Sequence, residues 1–152
     1  MKKIIIRNPH DNEFEIWSKI YKIYLDFYQT SLTEEELRKV WSWIFAENSQ
    51  KIHCYLAEID NEIVGLTHFR EFYRPLKACK GIFLDDLIVI PKCRGHRVGY
   101  QLIEAVKLYA KENNISIVRW ITASDNKQAI RLYDSVANKT IWVTYDAKIE
   151  LL

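Results

Sequence analysis

The sequence predicts a single α/β domain, and three observations lead there. Segments with β-rich composition interleave with segments whose apolar residues recur at helical spacing. No Ser/Gly/Pro-rich linker separates them, and the whole chain holds only 4 Gly and 3 Pro. At 152 residues, with 49% hydrophobic and 28% charged side chains, the chain has the size and balance of one ordinary core.

The elements follow in order. Ile4-Ile5-Ile6 near the start is too short an apolar run for a signal-peptide core and reads as a first strand. Asp11 is the expected N-cap of a helix whose Phe14, Ile16, Trp17, Ile20, Tyr21, Tyr24 and Phe27 share a face. Thr33 and Glu36 make a capping box ahead of a second helix with Leu37, Val40, Trp41 and Ile44. Two strands, Ile52 to Ile59 and Glu62 to about Glu71, are separated by Asp60-Asn61, which tolerate the positive φ angles of a tight hairpin. Ile82 to Ile90 reads as an apolar strand ended by Pro91, and Val98, Leu102, Ala105, Val106 and Tyr109 mark the helix beyond the next loop. A strand from Ile115 to Ile121, a helix capped by Asp125 with Gln128 at N3, and a strand from Thr140 to Ile149 complete an order βααβββαβαβ.

Composition narrows the function classes. A formal charge of +2 is too even for a protein that grips nucleic acid phosphates, so no nucleic acid partner is expected. No segment reaches the roughly 20 apolar residues of a membrane span, and no membrane partner is expected. Cys54, Cys79 and Cys93 lack CxxC spacing and read as free thiols of a cytoplasmic protein. His10, His53, His68 and His96 stand apart from one another and from ligands at metal spacing, so no metal is expected and each reads as surface or satisfied core.

The loop Arg94-Gly95-His96-Arg97-Val98-Gly99 between a buried strand and a helix start is suited to an anion. Unpaired N–H groups and the helix dipole meet there, glycines permit close approach, and Arg94 and Arg97 add charge. A plain strand-to-helix turn is the alternative. GxGxxG is absent, and so is the Gly-Lys-Ser/Thr ending of a P-loop.

Together with Phe83-Leu84-Asp85-Asp86-Leu87-Ile88-Val89-Ile90-Pro91 upstream, this loop resembles the central motif of the GNAT acyltransferases, and Asp125-Asn126-Lys127-Gln128-Ala129-Ile130-Arg131-Leu132-Tyr133 resembles the motif that follows it. The acid pair before the strand end looks like that of the diamine and polyamine N-acetyltransferases. The resemblance implies a GNAT fold with a mixed, mostly antiparallel central sheet flanked by helices, and acetyl-CoA as cosubstrate. It implies that Leu87, Ile88 and Val89 meet the pantetheine arm, that Arg94, Gly95, His96, Arg97, Val98, Gly99 and Tyr100 meet the phosphates, and that Asn126 and Ala129 line the cofactor cleft. One position departs from the pattern: Arg97 stands where the family usually has glycine. The favoured reading keeps a helical φ at Arg97 and uses its guanidinium on a phosphate; the alternative is that the side chain hinders the pyrophosphate or forces a different backbone angle, weakening cofactor binding.

The chemistry implied is acetyl transfer to a primary amine of a small cationic molecule, by direct attack on the thioester. An amine attacks as the free base, so a proton acceptor or water relay is needed. Asp85 and Asp86 lie in an otherwise apolar strand, where an unpaired carboxylate is costly, and they point to opposite faces unless a bulge intervenes. The resemblance favours Asp85 as the substrate-side acid, with pairing to a nearby Arg or Lys as the bland alternative. Tyr133, seven residues beyond Asn126 and so on the same helix face, is the implied acid for the leaving thiolate. Trp17, Tyr21, Tyr28, Trp41 and Trp43 either cage a cation or pack. A non-catalytic acyl-CoA-binding module and a protein lysine or N-terminal acetyltransferase are the alternative functions. Self-association as a homodimer through the C-terminal strand or the helices is left open.

Overall fold

The computed structural model describes residues 2–48 and 51–152. They divide into two compact units, 1–121 and 122–152.

In the first unit a five-stranded sheet is ordered β1 (Ile5–Arg7), β2 (His53–Ile59), β3 (Glu62–Arg74), β4 (Cys79–Val89) and β5 (Val118–Arg119). Neighbours are antiparallel except β4 and β5, which run parallel. The mixed, mostly antiparallel sheet that the family resemblance implies is therefore present. Asp60 and Asn61 take φ of 50° and 65° in the turn joining β2 to β3, the left-handed pair that lets a two-residue hairpin follow the strand twist.

Helices cover the sheet on two sides. Helix α1 (Phe14–Phe27) and helix α2 (Glu34–Ile44) bury Phe14, Trp17, Ile20, Leu25, Leu37 and Ile44 with Cys54, Leu56, Leu66 and Ile88 of the strands. The Thr33–Glu36 capping box is formed in both directions, which satisfies two donors at the start of α2. Helix α3 (Val98–Glu112) buries Val98 and Leu102 against Ala57 and Val64 in a separate aliphatic cluster. Gly65 allows this fit: a Cβ there would meet the Ile88 carbonyl oxygen at 2.6 Å and Val98 Cγ1 at 3.3 Å.

Four sequence expectations are corrected. Helix α1 starts at Phe14, after a turn at Asp11-Asn12, and Asp11 is not its cap; Glu13 holds that position, with its carboxylate turned to Arg7 and to the His10 N–H. The strand expected over 115–121 shrinks to Val118–Arg119 because Ile115 belongs to the end of α3. Asn114 is left-handed at φ 56°, its N–H bonds Lys111, and the Ile115 N–H bonds Ala110 at 2.8 Å, so the last carbonyls of α3 capture the residues that would have extended β5.

The other two lie in the second unit, which holds α4 (Lys127–Val136). Its N-cap is Asn126, whose side chain accepts from the Ala129 N–H, while Asp125 lies one residue outside. From 138 to 152 the chain forms no helix or strand, so the expected strand Thr140 to Ile149 is absent. The period-two pattern is there, but a strand exists only through a ladder, and among the described residues no strand pairs with this one.

Candidate active site

The polar centre of the first unit begins with a fault in the β3–β4 ladder. His68 pairs with Asp86 and the next residue, Phe69, pairs with Leu84, so Asp85 is the extra residue of a β-bulge. Strict alternation would send the two acids to opposite faces; the bulge cancels it. Asp85 receives the Arg70 Nε–H at 3.1 Å, and Asp86 meets the His68 ring on the same side, toward α1. Arg70 also lies over the Phe83 ring.

Asp86 sits against two elements. Its Oδ2 lies 2.8 Å from His68 Nδ1 and accepts the Tyr21 hydroxyl at 3.2 Å. Behind His68, the Trp17 indole N–H donates to Nε2 at 3.0 Å. Trp17 is 0% and His68 2% exposed, whereas the Asp86 side chain retains 16%. Burial pushes the Tyr21 and Tyr24 hydroxyls well above the usual phenol range, and the nearby Asp86 charge pushes them further. Both remain neutral donors. Burial likewise pushes the Asp85 carboxyl up, and Arg70 opposes that shift. The aromatic side chains at this face stack in series: Trp17 on Tyr21 at 5.4 Å and Tyr21 on Tyr24 at 5.9 Å between ring centres.

Below the bulge, β4 runs toward the loop with an open edge. Among the described residues β5 pairs only with Ile82 and Phe83, so from Leu84 to Val89 β4 has no strand on its other side. Leu87 and Val89 are half-buried against the α3 cluster, and Ile88 faces the α1 core. Arg94, Gly95, His96 and Arg97 are exposed, Val98 is buried, and Gly99 and Tyr100 are half-buried. The first turn of α3 carries no acidic residue, and a Cβ placed on Gly95 at φ 83° would meet nothing within 4 Å. Arg94 Nε donates to the Val89 carbonyl at 3.2 Å.

Arg97 overturns one expectation. It does not keep a helical φ; at φ 67° and ψ 15° it occupies the left-handed conformation that suits glycine, as the N-cap of α3. Its guanidinium lies 4.0 Å from the centre of the Tyr100 ring, a cation–π contact that offsets part of the backbone strain. Arg97 thus takes a backbone conformation that glycine adopts without strain.

These features fit acetyl-CoA. An open strand edge suits the amide-bearing pantetheine arm, and a basic, uncrowded loop at a helix N-terminus suits its phosphates. In the second unit, Asn126, Ala129 and Tyr133 are all half-buried on α4, and Asn126 and Tyr133 lie two turns apart on one face.

Sequence reasoning missed three residues here. His68 was read as isolated, Trp17 as packing or a cation cage, and Arg70 was not singled out. The signal for His68 was a histidine in a strand directly across a hairpin-like ladder from an acid, but its register depends on the bulge.

Comparison with known proteins agrees with this architecture. Residues 17–137 match the model of the acetyltransferase (GNAT) family. The chain is similar to the D-amino-acid N-acetyltransferase HPA3 of Saccharomyces cerevisiae, with 29% identity over 94% of this chain and 89% of the yeast protein. It is also similar to the thialysine N-epsilon-acetyltransferase of Mus musculus, with 29% identity over 70% of this chain and 64% of the mouse protein. Among solved structures, the aminoglycoside N-acetyltransferase AAC(6')-Iy in complex with CoA superposes with a TM-score of 0.80 at 16% identity, covering 97% of this chain and 96% of that one, a likeness of fold. The family match spans both units, and the chain belongs to the acetyltransferase (GNAT) family as an acetyl-CoA-dependent N-acetyltransferase.

Proposed function

We propose that the chain, acting over 1–152 as one catalytic domain in the cytoplasm, acetylates the primary amine of a small cationic substrate that enters on the α1 side of the sheet. The observation that carries this reading is the bulge at Asp85, which turns two carboxylates toward one aromatic face. Arg70 already balances Asp85, so Asp86, which meets the Tyr21 hydroxyl and the His68 ring and no Lys or Arg side chain among the described contacts, is the anchor for an ammonium group. This revises the preference for Asp85 drawn from the family pattern. The named substrates of two relatives, a D-amino acid and thialysine, are small molecules with a primary amine.

Acetyl-CoA supplies an activated acetyl group as a thioester. Asp86 holds the ammonium, and its carboxylate, directly or through water, takes the proton whose loss frees the nitrogen lone pair. The new C–N bond forms as the C–S bond breaks, the Tyr133 hydroxyl gives its proton to the departing sulfur, and the proton that the acylated nitrogen sheds to become a neutral amide returns to the Tyr133 oxygen, directly or through water. Leu87, Ile88 and Val89 offer the strand edge to the pantetheine arm, and Arg94, Gly95, His96, Arg97, Val98, Gly99 and Tyr100 meet the phosphates; Asn126 and Ala129, at the start of α4, are further cofactor contacts of the proposal. The near-even charge of +2 supports a small molecule over a nucleic acid as partner.

A CoA-release assay with acetyl-CoA against diamines, amino acids, aminoglycosides, neutral amines and a lysine peptide tests the reading. Turnover of cationic small amines is expected, and turnover of the peptide alone would replace the reading with protein acetylation. Asp86→Asn is expected to raise KM for a cationic amine by about 10–100-fold while sparing KM for acetyl-CoA. Tyr133→Phe is expected to lower kcat by about 10²–10⁴ at unchanged acetyl-CoA affinity, and an unchanged kcat with a lowered melting temperature would make Tyr133 a packing residue.

Self-association is part of the proposal. Ile141, Val143, Tyr145, Ile149 and Leu151 are exposed and alternate with Thr144, Asp146, Lys148 and Glu150. Antiparallel pairing of two copies about Ala147 would set Asp146 of each opposite Lys148 of the other. Sedimentation that stays monomeric at high concentration would end this part.

A further inference from the structure

The Trp17–His68–Asp86 chain carries a direction. An indole nitrogen can only donate, so the 3.0 Å contact from Trp17 makes His68 Nε2 an acceptor. The single ring proton then sits on Nδ1, which donates to Asp86 Oδ2 at 2.8 Å. An imidazolium would need a second proton on Nε2, pointing at the indole N–H inside a space where both rings are buried.

We infer that Trp17 and His68 are positioning residues: the indole N–H locks His68 in the Nδ1–H tautomer, so that His68 orients the Asp86 carboxylate and leaves its charge for the substrate's ammonium. This inference rests on Asp86 being the amine anchor proposed above. Two features support a device rather than ordinary core satisfaction. The bulge is what brings Asp86 across from His68, and Tyr21, one helical turn beyond Trp17 on α1, donates to the same carboxylate oxygen while packing edge-on to His68 at 4.9 Å. A histidine free to gain a second proton would form an imidazolium–carboxylate pair with Asp86 and compete with a cationic substrate for it. The lock removes that competition.

The groups facing His68 are Trp17 and Tyr21 of α1, Cys54 paired across from it on β2, and Asp86 and Asp85 on β4, with Arg70 two residues along β3. Cys54 is buried and its thiol is pushed above its ordinary range, and Tyr21 is likewise a neutral donor. Asp86 and Asp85 bring carboxylates to the ring and Arg70 a guanidinium, and the Trp17 N–H is the contact that makes Nε2 the accepting nitrogen.

Three measurements test this. In the wild-type protein carrying isotope-labelled histidine, long-range nitrogen–proton correlation is expected to report the Nδ1–H tautomer for His68 at pH 6 to 8. An Nε2–H tautomer or an imidazolium there would overturn the inference. Trp17→Phe keeps an aromatic ring and removes the N–H. Between pH 8 and pH 6 its KM for a cationic amine is expected to rise about fivefold more than that of wild type, with KM for acetyl-CoA unmoved, because the released Nε2 of His68 can take a second proton and the imidazolium then competes for Asp86. Parallel KM profiles for variant and wild type, with only a lowered melting temperature, would reduce Trp17 to packing. Asp86→Asn separates the two levels: if it leaves amine KM unchanged, the anchor reading fails, and if it raises KM while the tautomer and the Trp17→Phe profile disagree with expectation, the positioning inference alone fails.

Discussion

Two clusters packed on opposite faces of the sheet in the first unit are built from different chemistry. On the α3 side, Ala57, Val64, Val98 and Leu102 close an aliphatic contact that depends on volume and on the missing side chain at Gly65. On the α1 side, Trp17, Tyr21 and Tyr24 surround a histidine and a carboxylate, and the packing depends on each polar atom finding its partner. Among the described residues no buried side-chain nitrogen or oxygen is left without a hydrogen bond. Aliphatic contacts are non-directional and tolerate small shifts, whereas a hydrogen-bonded chain in a low-dielectric interior does not. The aliphatic cluster tolerates shifts, and the polar cluster, where the proposed chemistry lies, does not.

Substitutions can break this contrast. The largest effect on stability is expected at the aliphatic face: Leu102→Ala, at a fully buried position, is expected to cost about 2–5 kcal/mol. Amine KM of the folded fraction should be unchanged, which denaturant titration and kinetics on the same sample would check. A shift in amine KM comparable to that of Asp86→Asn would mean that the two faces are not separable.

Acid pH probes the entry to the α1 side. The Arg7 guanidinium, bonded twice to Glu13 at 2.8 Å, holds that carboxyl down at about 2, and Glu13 in turn raises Arg7. Because the folded value lies below the unfolded one of about 4.3, the stabilisation is complete above that pH and is lost as pH falls from about 4.3 through about 2. The contribution is about 3 kcal/mol, from about 1.4 kcal/mol per unit, for a pair that is mostly shielded from solvent. Glu13→Gln is therefore expected to flatten the stability curve over that window, as read by urea titration at successive pH values. An unchanged slope would show that the clamp contributes nothing.

The smallest effect is at the loop. Arg97→Gly removes a side chain from a left-handed residue, relieving about 1–2 kcal/mol, and also removes the contact over Tyr100, worth about 0.5–1 kcal/mol at an exposed site, so a net gain in stability of about 0.5–1 kcal/mol is expected by thermal melting. A loss would mean that the cation–π contact outweighs the strain. CoA titration of the same variant reads whether the guanidinium holds a phosphate: a lowered affinity supports that role, and a large gain would make Arg97 a hindrance.

Much of the fold was legible in sequence because its signals are local. The Thr33–Glu36 box, the Asp60-Asn61 turn and the apolar faces of α1, α2 and α3 each depend on residues a few positions apart. The same locality explains the misses. Asp11 and Asp125 had the composition of caps, and Glu13 and Asn126 took those positions. The α3 end claimed Ile115, because its capping bonds formed with carbonyls that were already in place.

What the sequence by itself determined is the order of elements up to α4, the anion-suited loop before α3, and the presence of two acids in an apolar strand. What only the tertiary structure decided is where those acids point and which residue holds each. A bulge is a mismatch between two strands, so neither β3 nor β4 contains it alone; it exists once His68 pairs with Asp86 and Phe69 with Leu84. The Trp17 contact then joins three residues separated by 51 and 18 positions, distances at which chain spacing says nothing about hydrogen bonding. The final alternation from Ile141 to Leu151 shows the converse: a strand pattern is written there, and without a neighbouring strand it forms none, since a ladder needs donors and acceptors from a second strand.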